Sequence, residues 1–103
     1  MYNSLRMKKF LCTFYLPEQL EESFWEEIPG HRRYINSLME AETIVTYSVN
    51  ATRTKGWVVI NAKTSHEAER IVERFPIRRF INYQLDELFL FDSMIGAPRL
   101  VLN

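Results

Sequence analysis

Two side chains in the first half of the chain have the types and the spacing for proton-transfer chemistry. His31 and Tyr34 are three residues apart within a helical pattern, so they share one helix face. Moving a proton next to a carbonyl needs a base near a C–H bond and a donor for the enolate oxygen. Histidine titrates near neutral pH and is the natural base. We therefore predict a site in which His31 carries the proton and Tyr34 donates a hydrogen bond to an enolate-like oxygen.

The setting of His31 allows a simpler interpretation. The residue follows Pro29-Gly30, where a helix break could open space beside a sheet. A lone histidine is weak evidence for a site, however. A surface histidine beside Arg32 and Arg33, or a cap at the break, is the alternative. His66 lies in a helix cap and is expected to face solvent.

Three aromatic residues of predicted strands are candidates for a ligand pocket, because each offers an apolar body with a polar handle. They are Tyr47, Trp57 and Tyr83. Aromatic residues in strands are also typical of a core or an interface. Four arginines could form an anion site, but their place near a helix C-terminus also fits compensation of the helix dipole. They are Arg70, Arg74, Arg78 and Arg79.

The sequence predicts neither a metal nor an organic cofactor. Glu27 and His31 are four residues apart, a spacing found in metal sites, but the chain has only two histidines and Cys12 lies in another element. There is no glycine-rich phosphate loop, no Ser/His/Asp signature and no haem motif. Any reaction is therefore expected to use side chains alone.

Composition restricts the partners. The 103 residues suit one domain, and 13 basic residues balance 13 acidic ones, which argues against a nucleic-acid binder. No apolar run is long enough to cross a membrane. The single cysteine fits a reducing compartment, so we expect a cytoplasmic protein. We predict a flexible leader over 1–7, the domain over 8–92, and a tail over 93–103 that pairs with a sheet edge or with a partner subunit.

Hydrophobic periodicity and turn residues give the order strand, helix, strand, strand, helix, strand. The first helix follows Pro17, and Pro29-Gly30 makes it either one kinked helix or two abutting pieces. The second begins at a capping box, Thr64 to Glu67, and ends at Pro76, after a buried Phe75. The order βαββαβ predicts a ferredoxin-like α+β fold, with a four-stranded antiparallel sheet and two helices on one face. The strands are expected at 10–16, 44–49, 57–60 and 80–91.

Three stretches of these strands do not alternate apolar with polar residues: 10–16, 57–60 and 88–91. A sheet with one solvated face should alternate, so continuous apolar runs indicate cover on both faces. Two helices cover one face only. We therefore expect a homodimer or a higher homo-oligomer through the sheet face, forming a dimeric α/β barrel.

Several residues in order resemble the muconolactone isomerase family over more than half of the chain. They are Tyr34 and Leu38, the strand Trp57-Val58-Val59-Ile60-Asn61, the helix Glu67 to Phe75 with Phe75-Pro76-Ile77, and Ile81-Asn82-Tyr83-Gln84-Leu85. The resemblance implies a dimeric barrel, often in rings of dimers, and a cofactor-free proton shift on a small unsaturated lactone or acid. The turn at 50–55 and the Pro29-Gly30 break depart from the family pattern.

Two other functions remain open because a fold carries over more readily than an activity. The first alternative is a non-catalytic oligomer that binds a small ligand or has a purely structural role. The second is a cofactor-independent monooxygenase, which rests on analogy between related barrels. A cavity that reaches a polar group would favour an enzyme, whereas a cavity filled by side chains would favour a structural role.

Overall fold

The computed structural model describes residues 7–94 and confirms the predicted ferredoxin-like α+β fold. One antiparallel sheet has the strand order β2-β3-β1-β4. The predicted leader lies outside the described residues up to position 6, and the predicted tail does so from position 95. The elements are β1 (Lys8–Tyr15), α1 (Glu22–Glu40), β2 (Ile44–Val49), β3 (Lys55–Ala62), α2 (Ser65–Glu73), a 3₁₀ turn (Arg78–Phe80) and β4 (Asn82–Glu87).

The core lies between one face of the sheet and both helices. On β1, Phe10, Cys12 and Phe14 are buried at alternate positions, as the two-residue period of a strand requires. The opposite position to Phe14 on β3 is Gly56, where a Cβ atom would overlap the Phe14 ring. Glycine is therefore needed here to let the ring lie flat across the strand. The same core holds apolar side chains from both helices, namely Phe24, Ile35, Ala68 and Val72.

The first helix is one element across Pro29-Gly30, so of the two expected forms the two abutting pieces are wrong. It begins at Glu22, later than Pro17, and contains Pro29 at an exposed position. An interior proline removes one backbone hydrogen bond and costs about 3 kcal/mol. A stripe of buried or partly buried residues continues across it at spacings of four and three, which anchors the helix on both sides. The stripe is Phe24, Ile28, His31, Ile35 and Leu38.

The second helix begins at the predicted capping box. The Thr64 hydroxyl accepts a hydrogen bond from the Glu67 backbone N–H at 3.1 Å. The Glu67 carboxylate reaches back past Thr64 and accepts from the Lys63 backbone N–H at 2.6 Å. The first contact satisfies an amide that the first turn of a helix leaves without a partner, and the second ties the residue before the N-cap to that turn.

The last strand is shorter than predicted. It ends at Glu87, and Phe80 belongs to the 3₁₀ turn before it, so the predicted strand at 80–91 is wrong at both ends. Leu88 adds one more backbone hydrogen bond to Lys9, after which Phe89 is fully exposed. Within β4, apolar and polar residues alternate, as an edge strand with one solvated face requires. The apolar run at 88–91 therefore lies beyond the strand.

Apolar character on both faces is confined to the two central strands. On the face away from the helices, β1 and β3 carry Leu11, Trp57 and Val59. The edge strands place polar residues on this side, namely Thr46 and Ser48 on β2 and Gln84 and Asp86 on β4. The open face is thus an apolar centre between two polar margins, because only the inner strands lack alternation.

Candidate functional site

The structure joins one predicted catalytic residue to one predicted pocket residue. The Nε2 atom of His31, on α1, lies 2.7 Å from the hydroxyl oxygen of Tyr47, on β2. His31 is only 1% exposed, so its interpretation as a surface histidine is wrong. Its other ring nitrogen, Nδ1, is buried without a hydrogen-bond partner among the described residues. Buried polar atoms are rarely left unpaired, which marks this imidazole as unusual.

A missed periodicity explains why the sequence did not predict a buried His31. The stripe of α1 runs through positions 24, 28, 31, 35 and 38, so the histidine occupies an apolar position of an amphipathic helix. Treating Pro29-Gly30 as a break hid this continuity. A signal was therefore present in the sequence, and it lay in the unbroken spacing of four and three residues.

An irregularity in β2 brings Tyr47 to the histidine. The register of β2 against β3 pairs Ile44 with Ile60 but Thr46 with Val59, so one extra residue is inserted between them. Without it, strict alternation would put Ile44 and Tyr47 on opposite faces of the sheet. A bulge of this kind re-aims the side chains that follow it. Tyr47 consequently faces the helices and reaches His31.

Aromatic rings and one guanidinium surround the pair. The His31 ring meets Phe75 edge-on at a centroid distance of 5.3 Å, and the Tyr47 ring lies 6.0 Å from Phe14. The guanidinium of Arg32 lies over the Tyr47 ring, 5.6 Å from its centroid. The pair is thus enclosed by apolar groups on the core side and by a cation on the outer side.

These surroundings keep both groups uncharged near neutral pH. Burial, and secondarily the positive charge of Arg32, lower the pKa of His31 to about 4. Burial raises the pKa of Tyr47 to about 12, against the smaller opposing effect of Arg32. A neutral imidazole has one donor and one acceptor nitrogen, so one nitrogen can share a hydrogen bond with the phenol while the other can accept a proton. His31 is therefore in the protonation state that a general base needs.

The pair lies at the wall of a cavity of about 430 Å³ between the start of α1 and the β2–β3 turn. Most of the cavity lining is apolar, with Phe24, Trp25 and Ile28 from α1. Its charged lining residues are Arg32 and Arg53. A concave, mainly apolar space with a few convergent polar groups is typical of small-molecule sites.

Tyr34, the second predicted catalytic residue, lies elsewhere. Its hydroxyl donates to the backbone carbonyl of Ile71 on α2 at 2.9 Å. Its ring contacts Phe75 edge-on, with 5.9 Å between the ring centroids. Burial raises the pKa of this phenol, partly offset by Arg74. Tyr34 lines a smaller groove of about 240 Å³ between the helices. The role predicted for Tyr34 stays a prediction.

The other two predicted pocket residues do not share the cavity of Tyr47. Trp57 lies on the open face of the sheet, where the Lys55 ammonium is 5.7 Å from its ring. The Tyr83 hydroxyl donates to Glu73 at 2.7 Å, and burial followed by this carboxylate raises its pKa. That carboxylate also accepts from Arg78 at 3.0 Å. The structure therefore distributes the three aromatic residues over separate surfaces.

The remaining polar clusters are paired within the fold. Arg78 forms an ion pair with Glu73, and Arg79 forms one with Glu27 across the helix layer. Hydrogen bonds from Tyr83 and then Arg78 lower the pKa of Glu73. Cys12 is buried, and burial raises its pKa to about 12, so the thiolate is disfavoured.

Over 7–94, no group of three or more His, Cys, Asp and Glu side chains is placed to hold a metal ion. Within the same range, each helix is too short or too polar to span a bilayer.

No protein-family model matches the sequence, and no curated protein matches it significantly. The function therefore has to follow from the chemistry of this chain's own site.

Proposed function

We propose that this protein binds a small unsaturated lactone or acid in the cavity beside His31 and Tyr47 and shifts a proton on it without a cofactor, as a muconolactone isomerase-like enzyme would. The observation that carries the proposal is the buried His31–Tyr47 pair, 2.7 Å apart, at the wall of an apolar cavity. The fold resemblance supports it, and the open cavity argues against a purely structural role.

The reaction needs one base and one hydrogen-bond donor. The base removes a proton from the saturated carbon next to the conjugated C=C bond. The electrons move through that bond to the carbonyl oxygen, which gives a dienolate. A proton then returns at another carbon of the conjugated system, so substrate and product are isomers and no oxidant or reductant is consumed. In this scheme His31 donates from Nε2 to the Tyr47 oxygen and accepts the substrate proton at Nδ1, so the single Tyr47 hydroxyl hydrogen is free to donate to the developing oxyanion.

The low basicity of His31 is compatible with this role once a ligand is bound. A base with a pKa of about 4 is weak, and part of the lowering comes from Arg32. A negative charge in the cavity would oppose that effect, because a nearby anion favours the imidazolium. The dienolate would therefore raise the pKa of His31 as the proton arrives.

The alternative that we retain is ligand binding without catalysis. The lowered pKa of His31 in the ligand-free protein favours it, since a neutral imidazole and a phenol also make a simple recognition pair. In this case the orphaned Nδ1 atom and Tyr47 would hydrogen-bond a bound molecule that does not react.

Replacing Tyr47 by phenylalanine should reduce proton transfer by about a hundredfold while the ring continues to fill its place, since one lost oxyanion donor costs about that much. The measurement is exchange of C–H protons of muconolactone and related unsaturated lactones in D₂O, followed by NMR. His31→Leu should abolish the exchange. His66→Gln serves as the control, because His66 is exposed and distant from the cavity lining.

The same series separates the candidate functions. Exchange that survives in both His31→Leu and Tyr47→Phe would remove the pair from the mechanism, and exchange lost in Tyr34→Phe alone would restore the site predicted at Tyr34. Absence of exchange on every lactone, together with saturable binding in the cavity, would establish the non-catalytic alternative.

We also propose that a second copy of the chain covers the open face of the sheet, in the cytoplasm. The centre of that face carries Leu11, Trp57 and Val59. Charges of both signs lie around it, with Lys55 at the start of β3 and Asp86 on β4. A two-fold interface requires such self-complementarity. A chain of this length also buries a modest fraction of its surface alone, so additional burial stabilises it.

Sedimentation at micromolar concentration should show at least a dimer. Trp57→Glu should shift the protein towards a monomer, because it places a charge in the apolar centre of the face. Met39→Glu, an exposed site on α1, should leave the assembly intact. A folded monomer in the unmodified protein would contradict this proposal.

A further inference from the structure

We infer that Arg32 and Arg53 select the ligand of the cavity, and that they select a small amphipathic anion with one carboxylate and an apolar body. The inference rests on the proposed function, since it concerns the same cavity, and it adds the charge of the ligand and the residues that recognise it. The observation behind the inference is that the charged side chains lining the cavity are all positive.

The lining of the cavity contains two guanidinium groups and no acid. None of the Asp or Glu residues in the described part of the chain contributes to it. Arg32 and Arg53 form no ion pair with an acid within residues 7–94, so no carboxylate of the described chain neutralises them at the cavity. Two unpaired cations beside an apolar space leave a positive potential that a ligand anion would neutralise.

Arg53 is presented by a turn with a fixed and unusual backbone. Its φ of 60° lies in the left-handed region, which residues other than glycine and asparagine rarely adopt. The Asn50 side chain holds the turn, because its Oδ1 accepts from the backbone N–H groups of Thr54 at 2.9 Å and Lys55 at 3.1 Å. Strained backbone of this kind is concentrated at ligand-binding sites. Arg53 is thus placed by a braced turn at the cavity.

Arg32 reaches the cavity from α1, whereas Arg53 reaches it from the β2–β3 turn. Arg32 follows His31 on α1, and its guanidinium lies over the Tyr47 ring. Stacking on an aromatic ring restrains a guanidinium while leaving its N–H donors free at the edge. A carboxylate can accept two parallel hydrogen bonds from such a group. A ligand anion held there would place its body against the apolar wall formed by Leu20, Phe24 and Ile28.

The test uses two probes with the same apolar ring and head groups of similar size, cyclohexanecarboxylate, which is an anion, and cyclohexanecarboxamide, which is neutral. The chain has two tryptophans, of which Trp25 lines the cavity and Trp57 lies on the open face. In a Trp57→Phe background, the fluorescence of Trp25 therefore reports a probe in contact with the cavity. Neither probe absorbs tryptophan emission, so energy transfer over a distance does not contribute.

We expect the carboxylate to bind about tenfold more tightly than the amide, which is the scale of one charge-assisted contact. This preference should shrink with added salt. Arg53→Gln and Arg32→Gln should each reduce it, whereas Arg53→Lys should retain part of it. Arg70→Gln is the matched control, because Arg70 is an exposed arginine outside this cavity.

The possible outcomes separate a failure of this inference from a failure of the proposed function. Equal affinity for the two probes, or arginine variants that weaken both equally, would overturn the selection of anions and leave the cavity as a binding site. A Trp25 signal that neither probe changes would overturn the inference together with the proposed function. A preference that persists in both arginine variants would assign the recognition to other groups.

Discussion

Truncating Phe75 to alanine should lower the free energy of unfolding by about 3–5 kcal/mol, the usual cost of removing a buried phenylalanine ring. The side chain is 2% exposed and lies just after the C-terminus of α2. Its ring meets both His31 and Tyr34 edge-on, so its loss would leave a cavity between the two helices that rigid neighbours cannot fill. Chemical denaturation at a fixed protein concentration measures the change.

Phe89→Ala is the matched control for this truncation, because Phe89 is fully exposed just after β4. The same chemical change there should alter stability by less than about 0.5 kcal/mol, as is usual at surface sites. A loss below about 1 kcal/mol for Phe75→Ala would show that the contact between α2 and α1 contributes little. The truncation should also disturb His31, so exchange of lactone C–H protons should slow in the same variant.

Protonation of His31 should make the folded protein sensitive to acid. The pKa of this imidazole is about 4 in the folded state, against an ordinary value of 6.5 in the unfolded chain. As the pH falls below 6.5 the unfolded state binds a proton that the folded state does not, so stability decreases until about pH 4 and then levels. The difference between the two pKa values corresponds to a loss of about 3 kcal/mol.

The pH dependence of the unfolding free energy tests this effect against two variants. His31→Leu should reduce the slope between pH 6.5 and 4, because leucine suits the apolar stripe of α1 and does not titrate. The slope that remains near pH 4 includes Glu73, whose pKa is lowered by Tyr83 and Arg78. His66→Gln should retain the slope, since His66 is exposed. A profile of the unmodified protein that matches the His31→Leu profile would show that the imidazole is not the titrating group.

The elements that the sequence predicted well are those set by local chemistry. Thr64 and Glu67 cap α2 as expected, and Pro76 follows soon after its end. The βαββαβ order came from hydrophobic periodicity, which reports which face of an element is buried. The strand predicted to extend to Phe91 failed because apolar content alone does not form a strand. Pairing with β1 continues only to Leu88, and then the chain leaves the sheet edge.

The sequence by itself determined the fold class, and it also contained the spacing that buries His31, although the Pro29-Gly30 dipeptide obscured it. Only the tertiary structure decided that Tyr47, rather than Tyr34, meets the imidazole. The reason is the extra residue between Ile44 and Thr46, which shifts the alternation of β2 and turns Tyr47 towards the helices. A bulge depends on how two strands pair, and so it leaves no period in the sequence of one strand. Arg53 likewise reaches the cavity because the turn that Asn50 braces folds back beside α1.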